Sequence, residues 1–250
     1  MVVTPDDHRL AYRLAERAGE LLVDLRARLV AERAEPRKLR LEGDRCSHDQ
    51  ILAGLAEELP DDPILSEEGE DDRTRLGSQR AWIIDPLDGT REFSEPPRTD
   101  WAVHVALVVD GQPVAGAVAL PGEGLVFGTD PPAPLADRLD DGPPRVVVSR
   151  TRPPPAAATV ARALEADIVE MGSAGAKAMA VVRGVVDVYA HAGGQYEWDS
   201  AAPVAVAAAA GLHTSRLDGS PLTYNHPDPW LPDLLICRPE YAQPVLDALA

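Results

Sequence analysis

The stretch Trp82-Ile83-Ile84-Asp85-Pro86-Leu87-Asp88-Gly89-Thr90 constrains this chain more than any other. Ala81 to Ile84 are apolar, β-branched or aromatic, and the run stops at Pro86, which predicts a short buried strand. Its carboxyl end carries two acids, Asp85 and Asp88, on either side of a proline-stiffened turn. Gly89 and Thr90 follow, where a helix can open. Such a junction sets carboxylate oxygens beside backbone N–H groups that lack partners. Hard divalent cations take oxygen ligands, and phosphate takes both cations and N–H donors, so metal-assisted chemistry on a phosphate is the expectation. Asp-Pro and Asp-Gly pairs usually mark plain surface turns. Against that reading, the apolar strand runs directly into the acids, and a second pair, Glu67-Glu68, follows another apolar run, Pro63 to Ser66. Two acidic strand ends are better explained by one shared site.

Charge sharpens the expectation. Lys and Arg number 24 against 41 Asp and Glu, a net charge of −17. That balance argues against a nucleic-acid polymer or an anionic membrane as partner, since both favour basic surfaces. It also means that a small phosphorylated substrate needs cations at the site, because the protein's own field repels it. With 250 residues the chain can form one large domain or two modest ones. Cys46 and Cys237 have neither metal-ligand spacing nor a disulfide framework. Reduced, buried thiols are expected, as in a cytoplasmic protein. The sequence opens without a basic-then-apolar leader pattern, and no apolar run is long enough to span a bilayer.

Thr4-Pro5-Asp6-Asp7 reads as a helix start, with a helical apolar spacing from Leu10 up to about Ala34 and a stop at Pro36. A second helix is expected from about Arg45 to Leu59, with Asp44 in the N-cap place. After the central motif come strands over Trp101–Val109 and Val114–Leu120, joined by an Asp110-Gly111 hairpin turn, and a third near Leu125–Phe127. Asp130 to Pro144, rich in Pro and Asp, reads as an exposed connection. Beyond it strands and helices alternate: strands at Arg145–Ser149, Asp167–Met171, Val185–Ala190, near Leu212 and at Leu234–Ile236; helices at Pro155–Leu164, Ala174–Arg183 and Trp198–Ala210, with a short helix last. The fold class expected is α/β, with residues 1–130 as an α+β half, 131–144 as the connection and 145–250 as an α/β half.

Glu67-Glu68, the Asp85–Thr90 motif and Trp198-Asp199, taken together, resemble the lithium-sensitive, magnesium-dependent phosphatase superfamily, which includes inositol monophosphatases, fructose-1,6-bisphosphatases and 3′(2′),5′-bisphosphate nucleotidases. The resemblance runs from the first long helix to the turn at Asp218–Leu222. It implies a layered αβαβα sandwich with the site where the two halves meet. It also implies Glu67, Asp85, Asp88 and Asp199 as carboxylate ligands and the Leu87 carbonyl as a further oxygen for two or three Mg²⁺ ions, Asp85 bridging two of them. Taken alone, Asp199 reads equally as a helix N-cap, and Glu68 as a solvated neighbour of Glu67. The family suggests a water-orienting role for Glu68. Thr90 and Asp44 are the proposed water-activating pair, Gly43-Asp44-Arg45 standing where the family has a run like Ala-Asp-Arg; Asp49 is the competitor. Backbone N–H groups of Gly89 and Thr90 would hold the phosphate. His48, His104, His191 and His213 have no ligand or triad spacing and are read as structural or surface residues.

The residues after the motif, Arg91-Glu92-Phe93, look like the bisphosphate nucleotidases, including the CysQ type of sulfur metabolism; inositol monophosphatases typically carry Asn at the Glu92 position. A substrate with two phosphates needs a second anion site, for which Arg150, Arg152 and Lys177 are candidates, with Arg91 and Ser173 beside them. Ordinary solvated surface charge is the competing reading for each basic residue. The resemblance therefore implies hydrolysis of 3′-phosphoadenosine 5′-phosphate, with inositol phosphate or fructose bisphosphate as the alternatives and a non-catalytic metal or nucleotide sensor ranked below them. A homodimer stays open as the assembly.

Overall fold

The structure is a computed structural model that describes residues 3–71 and 73–250; Asp72, at the end of the acidic loop after Glu67, lies outside them. Two long helices open the chain, α1 (Pro5–Ala31) and α2 (Pro36–Glu58). Thr4 caps α1 reciprocally with Asp7: its hydroxyl accepts from the Asp7 N–H at 3.3 Å, and the Asp7 carboxylate accepts from the Thr4 N–H at 2.8 Å. Pro36, expected as a terminator, instead starts α2 in the first turn, where its missing N–H costs nothing. The second helix therefore begins well before Arg45, and Asp44 lies inside it rather than at its N-cap. The weak apolar periodicity of residues 36–44 conceals this part of the helix; of them only Leu39 and Gly43 are buried.

The first sheet has the order β1-β2-β3-β4-β5, with β1 (Ile64–Ser66), β2 (Arg80–Asp88), β3 (Ala102–Val109), β4 (Gln112–Leu120) and β5 (Leu125–Gly128). The hairpin between β3 and β4 turns on Asp110 and Gly111, both at positive φ, as a two-residue turn with the strand's own twist requires. A short helix, α3 (Thr90–Phe93), follows β2. Residues 145–237 supply the second sheet, ordered β7-β6-β8-β10-β9: β6 (Arg145–Ser149), β7 (Asp167–Met171), β8 (Val188–Tyr196), β9 (His213–Ser215) and β10 (Trp230–Cys237). Between them run α4 (Pro155–Ala163), α5 (Ala174–Val182) and α6 (Glu197–Ala209), and α7 (Pro239–Leu249) closes the chain. Several boundaries differ from expectation, three of them near the site: β8 starts at Val188 rather than Val185 and runs on through two glycines to Tyr196, β10 starts at Trp230 rather than Leu234, and α6 opens one residue earlier, at Glu197.

Alternation along the strands sorts the core into three clusters. Trp82 and Ile84 face α1 and α2, whereas Ile83 faces α5 and α6. The opposite face of α5 and α6 packs on the second sheet through residues such as Val147, Tyr189 and Ile236. Val146, Val148, Val188 and Leu235 on that sheet's outer face meet α4 and α7. The layers are helix, sheet, helix, sheet, helix: an αβαβα sandwich. No helix among the described residues is long and apolar enough to cross a membrane. Cys237 is buried and Cys46 half-buried, both free.

Candidate active site

The acids are brought together by strand register. β1 runs parallel to β2 with Ser66 opposite Ile84, and the Glu67 N–H continues the ladder to the Ile84 carbonyl at 3.2 Å. Glu67 thereby stands beside Asp85. Asp85 and Asp88 are three residues apart, and in a regular strand their side chains would point to opposite faces. Between β2 and β3, however, Asp85 pairs with His104 and Asp88 with Ala102, so one extra residue is inserted into β2. The bulge restores the parity and turns both carboxylates to the same side. Pro86 sits in it, where no ladder N–H is needed. The bulge carbonyl of Pro86 accepts from Ser47 Oγ at 2.6 Å, and the Leu87 N–H donates to Asp85 Oδ1 at 3.1 Å. The strand thus ends at Asp88 rather than before Pro86.

Asp199 arrives from the second half of the chain. It is the third residue of α6, not the cap, and its Oδ2 accepts from the Tyr196 N–H at 2.7 Å. Ligand oxygens of Asp85, Asp88 and Asp199 lie within 4.8 Å of one another. The Glu67 carboxyl is in hydrogen-bond contact with that of Asp85. Burial and mutual repulsion push Glu67 up to about 7 and Asp199 to about 6, and raise the buried Asp85 well above the carboxylate range. Glu67 keeps an exposed surface at the mouth while its carboxyl sits in a recess among protein atoms.

Asp88 goes the other way. Burial raises its pKa, but His104, Lys177 and Ser173 outweigh that and hold it well below the usual range. Its Oδ2 accepts from Ser173 Oγ at 2.5 Å and the Gly175 N–H at 2.7 Å, and His104 Nε2 stands 3.2 Å away, off the line of a well-formed hydrogen bond. Among the described residues no hydrogen-bond donor reaches Asp88 Oδ1. His104 Nδ1 lies 3.0 Å from the Trp198 carbonyl, so one fully buried ring joins the Asp88 strand to the Asp199 helix. Sequence spacing gives His104 no such part. A signal is nonetheless present: a histidine interrupts the otherwise apolar run Ala102–Val109, and a polar ring buried on a core face must have partners.

On the other side of Asp88, Gly89 takes φ +83°, and a Cβ there would lie 3.2 Å from the Asp100 carbonyl and 3.3 Å from the Trp101 Cα. Thr90 Oγ1 donates to the Leu87 carbonyl at 3.2 Å and is also in hydrogen-bond contact with Asp44. Asp44 is half-buried on the third turn of α2. Burial first and the Glu68 charge second push it up to about 7, against Arg40 and the Thr90 hydroxyl. Asp49 is exposed. The expected pair of Asp44 and Thr90 is therefore adjacent, with Glu68 close enough to act on it by charge, although Asp44 reaches it from inside a helix.

A cleft of about 830 Å³ opens over the carboxylates, with Glu67, Asp88, Gly89, Thr90 and Asp199 among its walls. The basic candidates line it too, but they differ in freedom. Arg150 is shared by Glu92 at 2.7 Å and Glu95 at 2.9 Å, with its Nε left unpartnered. Lys177 is buried, donating to the Ser173 carbonyl at 2.6 Å and lying 5.3 Å over the Tyr189 ring; burial lowers its pKa against the pull of Asp88 and Asp199. Arg91 is partly held by Glu95. Arg152 is exposed, and among the described residues its guanidinium has no partner. A second support is equally hidden from the sequence. Arg75, fully buried, clasps Asp71 and donates to Asn225 Oδ1 and the His226 carbonyl, while the N–H groups of Asn225 and His226 donate to the buried Glu197 at 2.7 and 2.8 Å. The loop after Glu67 is so tied to the first turn of α6, two residues from Asp199.

The chain is similar to several known proteins. The 3′-phosphoadenosine 5′-phosphate phosphatase of Mycobacterium tuberculosis (strain CDC 1551 / Oshkosh) is 52% identical over 240 residues, covering 93% of this chain and 89% of that protein. The 3′(2′),5′-bisphosphate nucleotidase CysQ of Escherichia coli (strain K12) is 33% identical over 192 residues, 72% of this chain and 77% of its own. Among solved structures, CysQ from Bacteroides thetaiotaomicron superposes with a TM-score of 0.78 at 28% identity, over 93% of this chain and 97% of that one. The inositol monophosphatase family model matches residues 7–130 and 144–245, and the chain belongs to that family.

Proposed function

We propose that this chain is a phosphomonoesterase that removes the 3′-phosphate of 3′-phosphoadenosine 5′-phosphate, giving AMP and phosphate, and that it acts on 3′-phosphoadenosine 5′-phosphosulfate as well. The observation that carries the reading is the meeting of Asp85, Asp88 and Asp199 within 4.8 Å under the cleft, in a chain 52% identical to a phosphatase named for that nucleotide.

The donor set fits hard cations. It offers only oxygen, and burial first, with mutual repulsion second, makes ionisation of Glu67, Asp85 and Asp199 costly, a cost that a bound cation would relieve. Glu67, Asp85, Asp88, Asp199 and the Leu87 carbonyl would hold two or three Mg²⁺ ions, which when bound supply positive charge to the phosphoryl and leaving oxygens and acidify water. Thr90 orients the attacking water and passes its proton to Asp44, whose pKa near 7 suits it to accept one at neutral pH. The water oxygen bonds to phosphorus in line with the departing 3′-oxygen, and that P–O bond breaks. Glu68 keeps Asp44 basic by charge. Gly89 and Thr90 present N–H groups to the phosphate, and Ser173 and Lys177 steady Asp88 from behind. For the second phosphate Arg152 is, among the described residues, the unpaired cation on the rim. Arg150 can join only by yielding Glu92 or Glu95, and Arg91 likewise by yielding Glu95.

A steady-state panel tests this: 3′-phosphoadenosine 5′-phosphate, inositol 1-phosphate and fructose 1,6-bisphosphate, each with Mg²⁺ and with Mg²⁺ plus millimolar lithium. The nucleotide should have the highest kcat/KM, and lithium should inhibit. Preference for either of the other two overturns the substrate assignment.

A further inference from the structure

Aromatic side chains make up only 4% of this chain, and nearly all are covered. Among the described residues the rings left substantially exposed are Tyr196 and Trp230, at 46% and 48%. Both line the cleft, and they are cross-strand partners on one rung of β8 and β10. The inner face of Tyr196 stacks on Trp198, centroids 4.7 Å apart and planes 12° from parallel. The backbone is shaped to seat Trp230. Gly194 takes φ +96°, and a Cβ there would fall 2.6 Å from the indole Nε1; the Gly194 carbonyl is held 3.0 Å from His191 Nε2. Between these residues Gln195, only 7% exposed, also lines the cleft, and both its amide oxygen and its amide nitrogen are buried without a partner. A buried carboxamide with donor and acceptor both unanswered is costly unless a ligand answers them.

We infer that this wall is a purine-base subsite, with Trp230 stacking on the face of the base and Gln195 reading its edge, and that it sets the preference for a nucleotide over other phosphate esters. The inference rests on the nucleotide reading above and names the residues that enforce it. Adenine presents an amino donor beside a ring-nitrogen acceptor, which is the complement of a carboxamide, and every base offers a face to an aromatic ring.

The test compares 3′-phosphoadenosine 5′-phosphate with its abasic analogue, methyl riboside 3,5-bisphosphate, and takes the ratio of the two kcat/KM values. Trp230→Ala should lower that ratio roughly five- to a hundredfold, and Gln195→Leu about tenfold, through KM for the nucleotide. An unchanged ratio, both substrates suffering alike, would mean that the residues only support the fold, and the subsite is overturned. An equilibrium arm separates this from failure of the activity: AMP should quench the protein's tryptophan fluorescence, ribose 5-phosphate should not, and Trp230→Phe should remove the difference. If the wild type does not hydrolyse the nucleotide yet shows that quenching, the substrate assignment falls and the subsite stands. Nucleotide hydrolysis with no AMP quenching and an unchanged ratio keeps the substrate assignment and overturns the subsite. Absence of both hydrolysis and quenching removes both.

Discussion

Asp199→Asn should make the metal-free protein more stable while destroying its activity. Burial first and the Asp88 charge second raise the Asp199 pKa to about 6 against 3.8 for an ordinary aspartate. That displacement corresponds to about 3 kcal/mol against the folded state once the group is ionised. An asparagine oxygen can still accept from the Tyr196 N–H, so the helix end stays satisfied, but a negative charge in the first turn of α6 is lost, worth about 0.3–1 kcal/mol. The net gain is then about 2 kcal/mol, or roughly 4–8 °C in Tm for a chain of this size. The sign follows from linkage. Below about pH 4 the aspartate is protonated in both folded and unfolded chains, and there is no penalty to relieve. Between about 4 and 6 it ionises in the unfolded chain first, and above 6 the penalty is complete. In chelator, urea denaturation should therefore show the variant ahead at pH 8 and level with the wild type near pH 4. Saturating Mg²⁺ should reverse the order at pH 8, since a ligand at a hundred times its Kd adds about 2.7 kcal/mol to the protein that binds it. A variant less stable than wild type in chelator at pH 8, or equally ahead at both pH values, refutes the cost assigned to burying this charge beside Asp88.

Arg75→Met, which cuts the tie between the loop after Glu67 and the Glu197 turn, should cost about 2–4 kcal/mol by urea denaturation, toward the lower figure because Asp71 is a quarter exposed and can rehydrate. A loss below about 1 kcal/mol would count against the tie. Asp44→Asn should lower kcat about a hundredfold or more and flatten the rise of kcat with pH near 7, leaving KM nearly unchanged; an unaltered inflection in the pH–rate profile removes Asp44 as the proton acceptor.

What the sequence discloses here depends on how local the cause is. The acids of β1 and β2 are legible because each follows its own apolar run, and strand ends are where an α/β sheet presents side chains. The bulge that aligns Asp85 with Asp88 is only half legible: Pro86 marks the place, but the extra residue is defined by pairing with β3. Asp44 shows the opposite case. Its neighbours Gly43 and Arg45 identify the acid, yet they do not reveal its setting, because α2 buries so little of residues 36–44 that the apolar stripe begins late. Arg75, Gln195 and Trp230 are out of reach for another reason. Arg75 is tied to Asn225 and Trp230 to Gly194 across long stretches of sequence, and the Gln195 carboxamide has no partner among the described residues, so no spacing rule singles them out.

The two sheets divide the labour. The carboxylates stand mainly on β1 and β2, with Asp199 delivered by α6, and this arrangement depends on one bulge, one buried histidine and the packing of Ser173 and Gly175 against Asp88. Nearly every part of it is buried, so substitution there disturbs several contacts at once. The exposed parts of the cleft, Arg152 on the loop after β6 and the rings of Tyr196 and Trp230 on the β8–β10 rung, are less constrained, because about half of each ring's residue surface faces solvent and its packing is confined to Trp198 and Gly194. The preference among phosphate esters can thus be altered in this chain by changing residues on the second sheet, with the acid cluster left in place. Asp199 is the point where the halves cannot separate: it belongs to the acid cluster, yet its position is set by a helix whose first turn follows directly from Tyr196. A substitution that shifts that turn to reshape the base-facing wall should therefore also reduce turnover, whereas one confined to Trp230 should change which ester is chosen and leave the hydrolytic step itself alone.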